Sequence, residues 1–142
     1  MSYPFRDALL DTSVAVKWFV TEEDSERAAD FQQAHLRDDL QLHAPDILLM
    51  EMANALRYSG RLSEERILED LETFSALGVE IISFSIDLLN SAVSLSLEHD
   101  LAVYDAYFLA LAQAMEIPLI TADRKMLSRL TAEDGALDLK DL

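Results

Sequence analysis

The sequence predicts an α/β fold in which helices cover both faces of a mainly parallel sheet of about five strands. Short apolar runs alternate with longer helical patterns along the 142 residues, and 51% of the residues are apolar with only three glycines and three prolines. Strands separated by helices favour a parallel sheet, because each return to the sheet is made by a crossover helix. The length suits one domain with a substantial core, so we expect a single domain over residues 1–142.

Five apolar runs are the predicted strands, and the segments between them are the predicted helices. The strands are Asp7–Leu10, Gln41–Ala44, Val79–Ser83, Pro118–Thr121 and, least marked, Ala136–Leu139. The helices are Val14–Phe19, Asp24–Arg37, Pro45–Tyr58, Ser63–Leu77, Ile86–His99, Asp105–Met115 and Asp123–Leu130. Pro45 suits the first position of a helix, and Gly60 and Gly78 suit helix ends.

Two of these helices are apolar almost all the way round. Ile47–Tyr58 has a narrow polar arc that Glu51 and Asn54 occupy together, and Ala106–Met115 belongs to the most apolar helix in the chain. Helices of this kind are buried on most sides. A carboxylate in either one is unfavourable unless it is paired or binds something positive.

The net charge is strongly negative. The chain has 11 Lys and Arg against 27 Asp and Glu, which gives a net charge of −16. Such a balance argues against a nucleic-acid binder, whose surface usually has a basic face, and favours a basic protein partner or a bound metal. The local charge points the other way, because basic residues follow the candidate acids: Lys17, Arg57, Arg61, Arg124, Lys125 and Arg129.

Several classes of site have no signature in the sequence. There is no cysteine for a disulfide or a thiolate metal site, and His35, His43 and His99 lack the paired spacing of a zinc site. Nucleophile elbows, Walker loops and dinucleotide-binding glycine patterns do not occur. No apolar run approaches the ~18 residues of a membrane helix, and residues 1–10 do not read as a signal peptide. We therefore expect a cytoplasmic protein that does not associate with membranes.

Four acidic signatures carry the candidate chemistry. Asp11 and Asp123 each follow a predicted strand and precede a helix, Glu51 lies on a polar arc, and Asp105 opens the most apolar helix. Open parallel sheets bind ligands at the carboxyl ends of their strands. Each acid also has a plain structural alternative, since the three aspartates suit N-caps and Glu51 suits a helix surface. Gathered in space, four carboxylates would repel one another unless a divalent metal lay among them.

These signatures occur in a fixed order over nearly the whole chain. They are Leu10-Asp11-Thr12-Ser13-Val14 with Lys17-Trp18-Phe19, Pro45, Glu51 with Asn54-Ala55-Leu56, Tyr104-Asp105-Ala106-Tyr107-Phe108-Leu109-Ala110-Leu111-Ala112 and Thr121-Ala122-Asp123-Arg124-Lys125-Met126-Leu127. In this order they resemble the PIN-domain nucleases, in particular the VapC-like toxins of toxin–antitoxin pairs. The resemblance implies a three-layer α/β/α sandwich around a mainly parallel sheet.

The resemblance also implies the site and its partners. Asp11, Glu51, Asp105 and Asp123 would form an acidic metal site for Mg²⁺ or Mn²⁺, and Asn54 and Thr121 would hold and orient it. Lys125 stands where some members of the family carry a further acid, which argues against a fifth ligand. Family members usually form homodimers and are held by a cognate antitoxin, here one with an Arg-rich segment suited to the acidic cleft.

We therefore expect metal-assisted hydrolysis of phosphodiester bonds in RNA. Lys17, Arg57, Arg124 and Lys125 are candidates for steering the RNA backbone. Two alternatives stay open. The same fold would serve as a non-catalytic protein-binding module with its acids as helix caps, or as a metal-dependent phosphatase on small phosphate esters.

Overall fold

The computed structural model describes residues 2–60 and 63–142. Its strands are β1 (Asp7–Leu10), β2 (Gln41–Pro45), β3 (Glu80–Ile82), β4 (Leu119–Thr121) and β5 (Ala136–Asp138). Its α-helices are α1 (Thr12–Ala15), α2 (Ser25–Leu36), α3 (Ile47–Arg57), α4 (Glu64–Ala76), α5 (Ile86–His99), α6 (Val103–Met115) and α7 (Arg124–Leu127). Short 3₁₀ turns lie at Val16–Trp18, Ala132–Asp134 and Leu139–Asp141.

The five strands form one sheet in the order β3-β2-β1-β4-β5, and the four strand pairs are all parallel. Helices flank the sheet, so the fold is the three-layer α/β/α sandwich that the sequence predicts. β1 lies in the centre, with β2 on one side and β4 on the other. The strand order therefore reverses beside β1, and the carboxyl ends of β1 and β4 meet where such sheets bind ligands.

The core is built around β1 and α6. Ala8, Leu9 and Leu10 of β1 are fully buried, and every residue of the seven-residue stretch 106–112 of α6 is buried. The prediction that α6 is enclosed on most sides is therefore confirmed. Only a helix with apolar side chains all round can be buried so evenly.

The same prediction is wrong for α3. Its buried positions are Leu48, Met52 and Leu56, which form a single stripe at helical spacing. Met50 and Tyr58, on the other side, have exposed fractions of 77% and 73%. Because the neighbouring elements cover α3 on one side only, its apolar outer face lies on the molecular surface.

Two predicted helix starts are also wrong. Pro45 is the last residue of β2, paired with Ile82, and α3 begins only at Ile47. Proline has no N–H to donate, and here the next residue supplies the bond to β3, since the Asp46 N–H donates to the Ile82 carbonyl at 3.0 Å. The first helix begins at Thr12 rather than Val14, because Asp11 caps it, and it tightens into a 3₁₀ turn instead of continuing to Phe19.

The remaining predicted boundaries differ by a residue or two, apart from α7, which is shorter than predicted. It ends at Leu127 instead of Leu130. The predicted helix end at Gly60 lies just beyond the observed last helical residue, Arg57.

Within residues 2–60 and 63–142, none of the helices combines the length and apolarity needed to cross a membrane. The assignment of a single domain to residues 1–142 stays a prediction.

Candidate active site

Asp11 lies directly after β1 and begins the site. Its backbone N–H donates to the Ile120 carbonyl at 3.0 Å, which fixes it beside the end of β4. Its side chain caps α1 by accepting from the Ser13 backbone N–H. The N-cap interpretation of Asp11 is therefore correct, but a cap uses only one face of a carboxylate.

Two hydroxyl groups hold the same oxygen of Asp11. Thr121 Oγ1 donates to Asp11 Oδ2 at 2.9 Å, and Ser13 Oγ donates to it at 2.5 Å. Thr121 is completely buried and Asp11 is only 6% exposed. Burial raises the pKa of Asp11 above its ordinary value, and these hydrogen bonds oppose the rise by stabilising the charged form.

Thr121 also links Asp11 to the next acid. The backbone N–H of Asp123 donates to Thr121 Oγ1 at 3.0 Å, so one hydroxyl joins the ends of β1 and β4. Asp123 then caps α7 by accepting from the Met126 backbone N–H through Oδ1 at 3.0 Å. Asp11 and Asp123 are thus placed in a similar way: a strand ends, and an aspartate one or two residues later caps a short helix.

Glu51 reaches the site from the second turn of α3. Its Oε1 accepts a hydrogen bond of 2.7 Å from Thr12 Oγ1, in the first turn of α1. Burial raises the pKa of the Glu51 carboxyl, and the nearby Asp11 raises it further against the effect of Thr12. The alternative of an ordinary surface glutamate does not describe this half-buried and specifically bonded side chain.

Asp105 differs from the other three acids. It is the third residue of α6, whose N-cap is Ala102, so the expectation that Asp105 opens and caps this helix is wrong. Within the described residues its carboxyl accepts no hydrogen bond and forms no ion pair. Burial first, and then the charges of Asp11, Asp123 and Glu51, raise its pKa to about 6.

The charges of the four carboxyls act on one another, since Asp11, Asp123 and Glu51 all raise the pKa of Asp105. None of them has an ion-pair partner in the described part of the chain. Each keeps at least one oxygen without a hydrogen bond there: Asp11 Oδ1, Glu51 Oε2, Asp123 Oδ2 and both oxygens of Asp105. These oxygens reach solvent, because the only fully enclosed, unpaired side-chain oxygen among residues 2–60 and 63–142 is Asp70 Oδ2.

This donor set fits a hard divalent cation, which prefers several oxygen ligands. In the described ranges, however, no three His, Asp or Glu side chains lie close enough to hold one ion as they stand. The oxygen donors and the negative charge of the four side chains nevertheless suit such a cation.

Comparison with known proteins identifies the family. The sequence pattern of the PIN domain matches residues 8–132. The chain belongs to the PIN-domain family. This confirms the resemblance that the order of the four acidic signatures predicts.

This PIN domain is similar to several characterised proteins. It is 33% identical over 131 residues to Ribonuclease VapC3 of Pyrobaculum aerophilum, covering 87% of this chain and 95% of that protein. It is 34% identical over 96 residues to Ribonuclease VapC1 of Mycobacterium tuberculosis, covering 66% of this chain and 68% of that protein. A solved toxin–antitoxin complex from Klebsiella pneumoniae contains a chain with 26% identity and a TM-score of 0.69, covering 93% of this chain and 97% of that one.

The other residues proposed from the sequence are not equally well placed in this PIN domain. Thr121 lies between two of the acids, as expected for a group that orients them. Asn54 is exposed, and its side chain forms no hydrogen bond among the described residues, so its role stays a prediction. Arg61, one of the basic residues that follow Glu51, lies outside the described residues.

Two hydroxyl residues were missed as members of the site. Thr12 bonds Glu51, and Ser13 bonds Asp11 while accepting from the Ala122 backbone N–H at 2.9 Å. The sequence does contain a signal for them, since they directly follow Asp11. Threonine and serine after an aspartate predict helix capping equally well, and capping is their usual role at the start of a helix.

Two of the three histidines have structural roles, and the third, His99, lies with its Nε2 3.4 Å from Asp134 Oδ1. His35 bridges the Leu77 carbonyl at 2.8 Å and the Leu42 backbone N–H at 3.2 Å. His43 is bonded on both ring nitrogens, to Asp7 at 2.8 Å and to Glu80 at 2.9 Å, which ties β1, β2 and β3 together. Neither ring has a nitrogen free to bind a metal or to move a proton in this PIN domain.

Proposed function

We propose that this PIN domain is a metal-dependent ribonuclease that hydrolyses phosphodiester bonds in RNA as the toxin of a toxin–antitoxin pair. One observation carries the proposal: four carboxyls from four different elements interact electrostatically, and among the described residues none has a cationic side-chain partner and each has an oxygen without a hydrogen bond. The relatives named as ribonucleases support the reaction class, and Mg²⁺ or Mn²⁺ suits the all-oxygen donor set. A cytoplasmic location belongs to the same proposal.

The side chains divide the work of binding the ion. Asp11, Glu51, Asp105 and Asp123 would hold it through their free oxygens, while Thr121, Ser13 and Thr12 keep the carboxyls oriented through hydrogen bonds. When bound, the ion supplies charge neutralisation at the phosphate and activates water near neutral pH. Ser13 lies at this edge, but its hydroxyl donates to Asp11 Oδ2 and accepts from the Ala122 backbone N–H, so its role here is to orient Asp11.

The non-catalytic alternative explains the site less well. In a binding module the acids would serve as helix caps, and Asp11 and Asp123 do cap α1 and α7. Asp105 and Glu51 cap nothing, yet they bring half-buried negative charge to the same place. A carboxyl with a raised pKa and no hydrogen bond is unfavourable in a structural role and is typical of a functional one.

The central experiment measures cleavage of labelled RNA by purified protein with Mg²⁺, with Mn²⁺ and with a chelator. We expect cleavage only with metal, and a decrease of at least about 100-fold in Asp11→Asn and in Asp105→Asn, because each removes a charged ligand. Asp46→Asn, which removes a carboxylate outside the acidic set, is the matched control and should retain activity. Metal-independent cleavage, or full activity in both ligand variants, would contradict the proposal. Hydrolysis of a small aryl phosphate in place of RNA would favour the phosphatase.

We also propose a homodimer formed through the outer face of α5. Within the described chain only Ala92 of this helix is buried, and Ile86, Val93 and Leu97 are exposed by 62%, 43% and 81%. Their spacing of seven and four residues puts them on one face. Val93→Glu with Leu97→Glu should shift the sedimentation coefficient to that of a monomer, whereas Met50→Glu on α3 should not. A dimer that persists in the α5 variant would exclude this face.

The antitoxin proposal rests on charge. An Arg-rich antitoxin segment would find at the four acids a set of carboxylates without cationic partners, and guanidinium groups pair well with carboxylates. An Arg-rich peptide should therefore raise the melting temperature of the metal-free protein. The increase should be smaller in Asp105→Asn, and an equal increase in both would place the peptide elsewhere.

A further inference from the structure

An acidic segment, Glu22–Asp24, forms ion pairs with two of the four basic side chains proposed to steer RNA. It connects the 3₁₀ turn after α1 to the start of α2. It contacts Lys17, which lies in that 3₁₀ turn, and Arg124, which directly follows Asp123. Arg124 is adjacent to a residue of the acidic site, and both cations are already paired with carboxylates of this chain.

The contacts with Lys17 fasten the segment. Lys17 Nζ donates to Glu22 Oε1 at 3.1 Å and to the Glu23 carbonyl at 2.7 Å. The Lys17 side chain is only 9% exposed, in contrast to the 41% of Glu22. A phosphate could not reach this ammonium unless the segment left, so the structure does not support a direct steering role for Lys17.

The contacts with Arg124 are looser. Its guanidinium nitrogens lie 3.7 Å from Asp24 Oδ2, 3.9 Å from Glu23 Oε1 and 3.4 Å from Asp138 Oδ2, and its side chain is 49% exposed. Charge-assisted hydrogen bonds between guanidinium and an anion are ordinarily about 2.7–2.9 Å long. Arg124 donates one long hydrogen bond to Asp138, whereas Glu23 and Asp24 contact it only as ion pairs, so a phosphate could replace these two carboxylates.

The backbone of the segment supports the same interpretation. Asp24 has φ 63°, in the left-handed region, although it stands where α2 needs an N-cap, and its side chain makes no capping hydrogen bond. Aspartate at an N-cap usually accepts from the helix, and a non-glycine residue with positive φ is uncommon. Here the carboxylate points to Arg124 instead of its own helix.

We propose that the acidic segment Glu22–Asp24 masks Arg124, and that Arg124 is a positioning residue for an RNA phosphate next to the metal site. The inference rests on the proposed ribonuclease function. RNA binding then requires a phosphate to displace Glu23 and Asp24 from the guanidinium, while Lys17 keeps the segment attached. The segment lowers the affinity for RNA and favours substrates whose phosphate can reach Arg124.

The test is RNA binding without cleavage. Fluorescence anisotropy with a labelled single-stranded RNA in the presence of a chelator would compare wild type with Glu23→Gln/Asp24→Asn. The control Glu69→Gln/Glu72→Gln changes the net charge equally on exposed, unpaired positions of α4. We expect the segment variant to bind about three- to tenfold more tightly at low salt and the control to change less than twofold, because exposed ion pairs are individually weak. Arg124→Gln added to the segment variant should abolish the gain.

The outcomes separate this inference from the proposed function. Equal tightening in the segment variant and the control would mean a net-charge effect and would overturn the masking, as would no tightening at all. If wild type cleaves RNA and the segment variant gains nothing, only the masking is wrong. If neither protein cleaves but the segment variant binds more tightly in an Arg124-dependent way, the masking stands and the nuclease does not. Asp24→Gly, which tolerates positive φ, serves in place of Asp24→Asn if the latter lowers the melting temperature.

Discussion

The two halves of the acidic site are built in opposite ways. At the strand ends, Asp11 and Asp123 are tied to each other through Thr121 and each caps a helix. On the helices, Glu51 has one hydrogen bond and Asp105 has none among the described residues. Asp11 and Asp123, the strand half, are held in place by the fold. Glu51 and Asp105, the helix half, have few hydrogen bonds to stabilise their charge. The difference indicates that the fold positions Asp11 and Asp123 through hydrogen bonds, whereas burial and neighbouring charge dominate the surroundings of Glu51 and Asp105.

The largest expected effect comes from removing the Thr121 hydroxyl, which joins the ends of β1 and β4. Thr121→Val keeps the shape but deletes a buried donor to Asp11 and an acceptor for the Asp123 N–H, so we expect unfolding to become easier by about 2–3 kcal/mol. Thr12→Val removes one partly buried bond to Glu51 and should cost about 0.5–1 kcal/mol. Urea denaturation of both metal-free variants measures the two changes in unfolding free energy. Equal losses would show that the two halves are equally supported.

A smaller effect concerns the unsupported acid. Asp105 titrates at about 6 in the folded protein instead of the ordinary 3.8. Folded protein therefore binds this proton more tightly than unfolded protein, so Asp105 costs no stability below about pH 4. The cost appears as pH rises through about 6, and screening at this half-exposed group limits it to about 1 kcal/mol.

Asp105→Asn isolates that effect. The unfolding free energy of the metal-free variant should match that of wild type near pH 4 and exceed it by about 1 kcal/mol at pH 7.5. Chemical denaturation at several pH values, without divalent metal, provides the measurement. A variant less stable than wild type at pH 7.5 would show that Asp105 has a structural role after all.

The fold is largely predictable from this sequence, and the errors have local causes. The five strands follow from apolar runs, because a central parallel strand such as β1 must be apolar on both faces. Pro45 and Asp105 are each predicted to begin a helix because both residue types are common at helix starts. The register of β2 and the position of Ala102 instead determine where α3 and α6 begin. The exposed face of α3 depends on what packs against it, which its own composition does not indicate.

The site was less predictable than the fold. The four acids could be found because their order and their strand-end positions carry information. The roles of Thr12 and Ser13 could not, because hydroxyls beside an aspartate serve caps and ligand support alike. The pairing of Arg124 with Asp24 and Asp138 depends on contacts between separate elements, which a list of nearby basic residues cannot reveal.

The smallest expected effect concerns Asn54. The helix half is defined here without it, since its side chain is exposed and forms no hydrogen bond in the described part of the chain. Asn54→Ala should therefore change the unfolding free energy by less than about 0.5 kcal/mol and leave metal-dependent RNA cleavage within about threefold of wild type. A loss comparable to that of Glu51→Gln would restore Asn54 to the site.

The hydroxyl groups around Asp11 also favour the charged form of its carboxyl, against the effect of burial. Thr121 and Ser13 each donate their hydroxyl proton to Asp11 Oδ2, and each hydroxyl oxygen accepts a backbone N–H. A proton arriving at Asp11 Oδ2 would find both neighbouring hydroxyls already pointing their hydrogens at it. Asp105 has two oxygens open and a pKa of about 6. Asp105 on α6 has no such donors among the described residues, so its proton equilibrium is set by burial and by the charges of the other three acids.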